Sequence, residues 1–289
     1  MEYRVLFCMI KRILTAAVAI PVVVLILWLD NTIITLAAMT LICVLAVGEV
    51  LLATKYFSNR GIAAVCMIFV AVMPSFICFD ILYPYVPILS FVFLLIMFLI
   101  MLSDHSNVKF QETALVSFVS FLLPLSISTI VLLQKKYEFG IYYVVLVLLI
   151  PWISDAGAYF IGSAFGKHKM APKISPKKSW EGFFGGLVTA IIAVLAVGFG
   201  YPWVETLING TVSFTVNVPL LILLAVIGTV LGVIGDFSAS LLKRQCMVKD
   251  FGSILPGHGG IMDRFDSVLF VAPFFYLVFS YIEPVTVIA

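Results

Sequence analysis

The chain has 289 residues, 63% of them hydrophobic and only 11% charged, with a formal net charge of +2 at pH 7 and a mean hydropathy of +1.20. Soluble globular domains carry about 25% charged residues, so a water-soluble fold is excluded, and no nucleic-acid partner is expected. What is expected is an all-α, polytopic integral membrane protein.

Apolar runs long enough to cross a bilayer, which takes roughly 17 to 25 residues, are predicted at about 13–29, 32–53, 61–79, 86–103, 113–134, 141–165, 183–203, 218–242 and 267–282. The first, behind Lys11-Arg12, is longer than a signal-peptide core and ends in Trp28-Leu29-Asp30 without a small-x-small cleavage site, so it reads as a retained helix. The second carries a lone acid, Glu49, read as a hydrogen-bonding group of the bundle rather than a remote part of a site. Asp80 and Pro84 interrupt the pattern between the third and fourth runs, and the ninth is short.

Between the sixth and seventh runs lies the longest polar stretch, Gly166 to Glu181, with Lys167, Lys169, Lys173, Lys177 and Lys178. The eighth run carries Asp236, Ser240 and Lys243 on one helical face. It opens into a polar block holding Arg244, Lys249, Asp250, the turn Pro256-Gly257-His258-Gly259-Gly260, Asp263, Arg264 and Asp266.

Lys and Arg accumulate in cytoplasmic loops. Of the 17 such residues, only Lys135 and Lys136 fall on the far side of a nine-helix arrangement, so the N-terminus is predicted cytoplasmic and the C-terminus outside. The five cysteines, Cys8, Cys43, Cys66, Cys78 and Cys246, are scattered and read as packing residues. No internal repeat is present. One membrane domain, 1–289, is expected, with 1–140 mainly scaffold and 141–289 the working half.

Asp155 and Asp236 are predicted to lie about 15 and 10 Å below the cytoplasmic ends of their helices, where an unpaired charge costs at least ~2.5 kcal/mol. A lysine or a bound cation must compensate them. An ion pair between Asp236 and Lys243 is one solution. A metal is the other, because Asp250, Asp263 and Asp266 add more acid nearby and hard oxygen ligands favour Mg²⁺ with substrate phosphates.

The glycine turn offers backbone N–H groups to an anion or is simply a tight turn. His258 contacts a phosphate or caps that turn. The five-lysine loop either marks the cytoplasmic side and attracts anionic lipid, or clamps a polyphosphate with Ser179 at a helix start. Small residues four apart, Gly162 and Gly166, Gly182 and Gly186, Gly228 and Gly232, read as close helix packing.

The stretch Ser240, Lys243-Arg244, Lys249-Asp250, Leu255 to Gly260 and Asp263-Arg264-Phe265-Asp266 resembles the signature of the phosphatidate cytidylyltransferases. Ser154-Asp155-Ala156-Gly157-Ala158-Tyr159-Phe160, Phe165 to Lys169 and Ile174 to Gly182 are similar to that family as well. Ala239 stands where many relatives have Glu, Ser179 where Thr is usual and Met262 where Leu is usual, which puts any acid role at position 239 in doubt.

The resemblance implies transfer of a cytidylyl group from CTP to phosphatidic acid, giving CDP-diacylglycerol and pyrophosphate. It implies a multi-pass protein of the cell membrane whose active site faces the cytoplasm. Asp236, Asp263, Lys243 and Asp266 are the candidate catalytic residues, and Asp236, Asp263, Asp266 and Asp250 the candidate metal ligands for Mg²⁺, with K⁺ a candidate second cation. Lys177, Lys178, Ser179, Ser240, Arg244, Lys249, His258, Gly259 and Arg264 are the candidate substrate-binding residues. A homodimer is left open. Two rivals stay in view: a CTP-dependent polyprenol kinase, which would transfer the γ-phosphate, and an anion transporter, which should display inverted repeats.

Overall fold

In lipid every backbone N–H and C=O must be satisfied internally, which leaves helices or closed barrels. Long apolar runs rich in Leu, Ile and Val without strict alternation select helices, and the chain forms them. The structure, a computed structural model, describes residues 17–19, 21–54, 59–209, 214–254 and 259–287.

The elements in order are α1 (Ala17–Trp28), α2 (Thr32–Ala53), α3 (Arg60–Cys78), a 3₁₀ turn at Tyr83–Tyr85, α4 (Val86–Ser103), α5 (Phe110–Lys136) and α6 (Gly140–Phe165). They continue with β1 (Lys169–Ala171), β2 (Ser175–Ser179), α7 (Trp180–Asn209), β3 (Phe214–Val216), α8 (Val218–Gln245), α9 (Met262–Phe265), α10 (Val268–Phe279) and β4 (Val285–Val287). The all-α, polytopic expectation holds, the strands forming only two short antiparallel pairs, β1 with β2 and β3 with β4.

Among the described residues seven helices are long and apolar enough to cross a membrane, and they coincide with the second to eighth predicted runs. The first run falls partly outside the described residues. The ninth is α10, whose 12 residues reach about 18 Å at 1.5 Å per residue.

The chain divides into two compact units, one of residues 1–132 and 242–265, the other of residues 133–241 and 266–289. The first has its core on α2 and α3, where Cys43, Ala46, Val47, Val50, Ile62, Cys66 and Val70 are fully buried. Phe69 stacks on Phe93, and Phe121 closes the group edge-on. Cys43, Cys66 and Cys78 are buried free thiols, as expected of packing residues, and Cys8 lies outside the described residues. By contrast α4 is exposed along Phe91, Leu95, Phe98 and Leu102, as a lipid-facing helix should be.

The second unit is held by close approach of α6 and α7, which the small residues allow. A Cβ on Gly186 would meet the Ser154 carbonyl at 2.5 Å, and Cβ atoms on Gly162 and Gly182 would stand 3.3 and 3.2 Å from each other's Cα. On α8, Gly228 faces Ile150 and Phe275, and Gly232 faces Pro151 and Ser267. The predicted packing role of these residues is what the structure displays. Tyr142, Tyr143 and Phe279 fill the rest of the core.

The lysine-rich stretch differs from a plain loop: it folds back as the β1–β2 hairpin, with Lys169 opposite Ser179 and Ala171 opposite Ser175. Its base is tied where Trp180 N–H donates to the His168 carbonyl at 2.9 Å. There the His168 ring lies 2.6 Å from Glu181 Oε1.

Candidate functional site

In each unit the described residues include a group of partly or fully buried acids engaged with a lysine.

In the first unit α8 ends at Gln245, Met247 follows with a φ of 56° that turns the chain away from the helix, and α9 begins at Met262. Lys243, in the last turn of α8, donates to Asp263 Oδ1 at 2.7 Å, and the two side chains are only 12% and 5% exposed. The ammonium also lies 5.6 Å from the centre of the Phe251 ring. Asp263 Oδ2 accepts from the amides of Phe251 and Gly260 at 3.1 and 3.0 Å. A carboxylate that accepts from an ammonium and two N–H donors is held in one orientation.

Gly259 sits at φ +84°, a left-handed backbone that side chains resist. A Cβ there would come within 3.1 Å of Asp263 Oδ2 and 3.7 Å of Asp250 Oδ1, so both carboxylates border the space its missing side chain leaves.

Behind this loop stands Glu49 of α2, 1% exposed, whose Oε2 accepts from Met262 N–H at 3.0 Å. Glu49 was expected to bond within the helix bundle rather than to take part in a site; its hydrogen bond goes instead to the polar block, next to Asp263. The anion nest anticipated at the glycine turn is turned inward where it is described: the Gly260 amide serves Asp263. Pro256, Gly257 and His258 lie outside the described residues. Arg244, Lys249, Asp250 and Arg264 are exposed. Cys246 is half-buried, and burial pushes its thiol above the usual range, so it is a poor nucleophile.

In the second unit strand alternation separates the two adjacent lysines of β2 onto opposite faces. Lys177 is exposed, while Lys178 is drawn in and places its Nζ 2.6 Å from Asp236 Oδ2 and 3.8 Å from Asp155 Oδ1. The ammonium lies 5.3 Å from the Phe237 ring centre. Ser267 donates to Asp155 Oδ2 at 3.3 Å or to Asp266 Oδ1 at 3.2 Å, its single proton serving one at a time, while its amide donates to Asp266 Oδ1 at 2.7 Å. Asp266 is 4% exposed. Its backbone crosses α8 closely, since a Cβ on Gly235 would collide with the Asp266 carbonyl.

Ser179, 3% exposed, accepts from Gly182 N–H at 3.2 Å and so caps α7. Its hydroxyl packs against Gly162, Gly166 and Gly182. Ser240 is half-buried on α8, beside the buried Ala239.

The ion pair weighed between Asp236 and Lys243 is replaced: Lys178 takes Asp236, and Lys243 takes Asp263. Seven helical residues are two turns, about 10 Å of rise, a long reach when nearer partners exist. Asp155, named in the sequence as a buried acid but not as a candidate ligand, and Ser267, not singled out there, both belong to this group. The signal for Asp155 was its position inside a membrane helix, where an acid is a functional candidate by default. Ser267 carried none.

The donor chemistry fits a divalent cation. Among the described residues no three His, Cys, Asp or Glu side chains come together to cage an ion. However, Mg²⁺ takes one or two carboxylates and completes its octahedron with water and substrate phosphates. Asp250 with Asp263, around the space at Gly259, and Asp155 with Asp236, converging on a point now held by an ammonium, each supply such a pair.

Comparison with known proteins supplies the remaining observation. The profile of the cytidylyltransferase family matches residues 10–282. A phosphatidate cytidylyltransferase of Haemophilus influenzae is 42% identical over 137 residues, 47% of this chain and 45% of that protein. One of Staphylococcus haemolyticus is 44% identical over 134 residues, 46% of this chain and 47% of that protein. One of Bacillus subtilis is 35% identical over 171 residues, 59% of this chain and 60% of that protein. The chain thus spans roughly half the length of the curated relatives it matches.

Proposed function

The chain belongs to the cytidylyltransferase family, and on that premise we propose that it transfers the cytidylyl group of CTP to phosphatidic acid in the cell membrane. A phosphate oxygen of the lipid attacks the α-phosphorus of CTP. The bond from that phosphorus to the β-phosphate oxygen breaks, and CDP-diacylglycerol and pyrophosphate leave. The lipid phosphate is already ionised near neutral pH, so no side chain has to take a proton from it. Catalysis is then a matter of positioning and of stabilising charge.

The observation that carries this reading is the arrangement of Asp250 and Asp263 around the side-chain-free Gly259, with Lys243 and two loop amides fixing Asp263. Asp263 and Asp250 are proposed as ligands of Mg²⁺, and Asp236 with Asp155 as ligands of a second cation such as K⁺. Asp266, which takes the Ser267 amide and shares the Ser267 hydroxyl with Asp155, holds that serine beside the pair. A bound Mg²⁺ supplies neutralisation of the CTP phosphates and of the pyrophosphate as charge moves onto it.

The chain's own cations do the rest. Lys243 pairs with Asp263 and aims it. Arg244, Lys249 and Arg264, all exposed, bind nucleotide phosphates from the aqueous side, with His258 of the glycine turn. Lys177 and Lys178 diverge from β2, so one strand presents a cation to solvent and another to the acids. Ser179 acts as the α7 cap, and Ser240 lines the same α8 face as Asp236. The orientation with the N-terminus and the active site toward the cytoplasm follows the placement of lysine and arginine, and a water-borne nucleotide and a bilayer-borne lipid then meet at one leaflet.

The test is an assay of the detergent-solubilised chain with phosphatidic acid and CTP labelled at the α or the γ position, with and without Mg²⁺. Label from the α position in a lipid product, with pyrophosphate released only when Mg²⁺ is present, is the expected result. Transfer of γ-label to an alcohol acceptor would make the chain a kinase. Vesicle counterflow of an anion without CTP turnover would make it a transporter.

A further inference from the structure

Among the described residues Glu49 is the most deeply buried acid that the proposed reaction leaves unused. It sits in α2, far from the polar block in sequence, yet its Oε2 accepts the Met262 amide at 3.0 Å. Its Oε1 is buried without a well-formed hydrogen bond. Gly252 and Gly260 press on the same carboxylate: a Cβ on either would overlap Glu49 heavy atoms, with Cδ at 2.4 and 2.6 Å respectively. The loop therefore closes onto Glu49 from two sides, and only residues without side chains permit it.

Gly260 is the connecting part. One of its faces rests on Glu49, and its amide donates to Asp263 Oδ2. Met262, bonded to Glu49, is covalently joined to Asp263. A carboxylate is costly where a leucine would pack. What the acid adds here is a fixed acceptor for the Met262 amide.

We propose that Glu49 is a positioning residue: through the Met262 amide and the contact with Gly260 it sets where Asp263 stands. This inference rests on the reading of Asp263 as a metal ligand. It predicts that Glu49 affects turnover and the metal requirement, and leaves binding of the lipid alone.

The experiment uses the full chain in lipid nanodiscs, comparing wild type, Glu49→Gln, Glu49→Leu and Gly260→Ala. The readouts are kcat, KM for CTP and for phosphatidic acid, the Mg²⁺ concentration giving half-maximal rate, amide hydrogen exchange across 249–263, and the unfolding midpoint. Glu49→Leu should lower kcat about 100-fold, the scale of a misplaced catalytic group, with KM for phosphatidic acid changed by less than about twofold. Exchange at Gly260 and Met262 should accelerate, and the Mg²⁺ requirement should rise. Glu49→Gln keeps an acceptor oxygen and should restore kcat to within about fivefold of wild type.

Gly260→Ala drives the loop off an intact Glu49 and should reproduce the Leu phenotype, which decides the matter if the Leu variant fails to fold. Wild-type turnover and exchange in Gly260→Ala, or equal losses in the Gln and Leu variants, would overturn the proposal. If wild type itself transfers no cytidylyl group, the proposed activity fails, whereas the exchange comparison still judges what Glu49 does to the loop.

Discussion

The two acid–lysine groups solve the same problem by different means. In the first unit Asp263 receives two main-chain amides as well as Lys243, so its location is written into the backbone of one loop. In the second unit Asp155 and Asp236 stand on helices, and Lys178 reaches both from a hairpin strand. Backbone donors survive every side-chain substitution except proline, and they tolerate little displacement. A side-chain cation can be exchanged, and its loss leaves like charges facing each other. The first group should therefore be sensitive to geometry and the second to charge.

The sharpest break would come from Asp263→Ala, which strands Lys243 and two amides at once. A loss of about 1,000-fold in kcat/KM for CTP is expected, the scale of removing a group that acts on transition-state charge, read as pyrophosphate release. Full turnover in this variant would remove Asp263 from the chemistry.

Next in size is Lys178→Met. With the shared ammonium gone, Asp155 and Asp236 repel, so activity at limiting cation should fall about 100-fold and recover in part as Mg²⁺ or K⁺ is raised. Recovery by added cation would mark this group as charge-governed, and the same titration should not rescue Asp263→Ala.

Gly259→Ala tests geometry without touching charge. A methyl group at φ +84° costs on the order of 1–2 kcal/mol and intrudes between Asp250 and Asp263, so about tenfold lower kcat is expected, with KM for phosphatidic acid unchanged in steady-state assays.

The smallest effect is expected from Ser179→Ala, which removes the α7 cap. About 1 kcal/mol of stability should be lost, seen as a lower unfolding midpoint in detergent, with kcat nearly intact. A large fall in kcat there would assign Ser179 to substrate instead.

Much of the fold was legible in the chain itself. Apolar length located the helices from 32 to 245 to within a few residues, because in lipid span length is dictated by the bilayer and backbone satisfaction by the helix. The small residues of α6, α7 and α8 announced close packing for the same reason. The hairpin of 169–179 was not legible: Pro172 and Pro176 and a run of lysines show no apolar alternation, and the strands are held by pairing with each other and by the Glu181–His168 contact.

At the site, Asp236, Asp263, Lys243 and Lys178 stood out in the sequence as candidates, but who pairs with whom did not. The partnership of Lys178 with Asp236 joins a strand to a helix across 58 residues of sequence, a distance at which periodicity carries no information. Glu49 was visible as an oddity in an apolar helix, while its grip on Met262, 213 residues away, was not.

Lys178 has one further consequence, for how such a protein is made. A chain threaded into a bilayer meets no nucleotide and no guarantee of a metal while its helices are being laid down, and bare acids in that setting oppose insertion. Because the lysine arrives from the segment just before α7, the newborn protein carries its own counter-charge for Asp155 and Asp236. The two acids thus enter the bilayer matched by a cation that the chain itself carries.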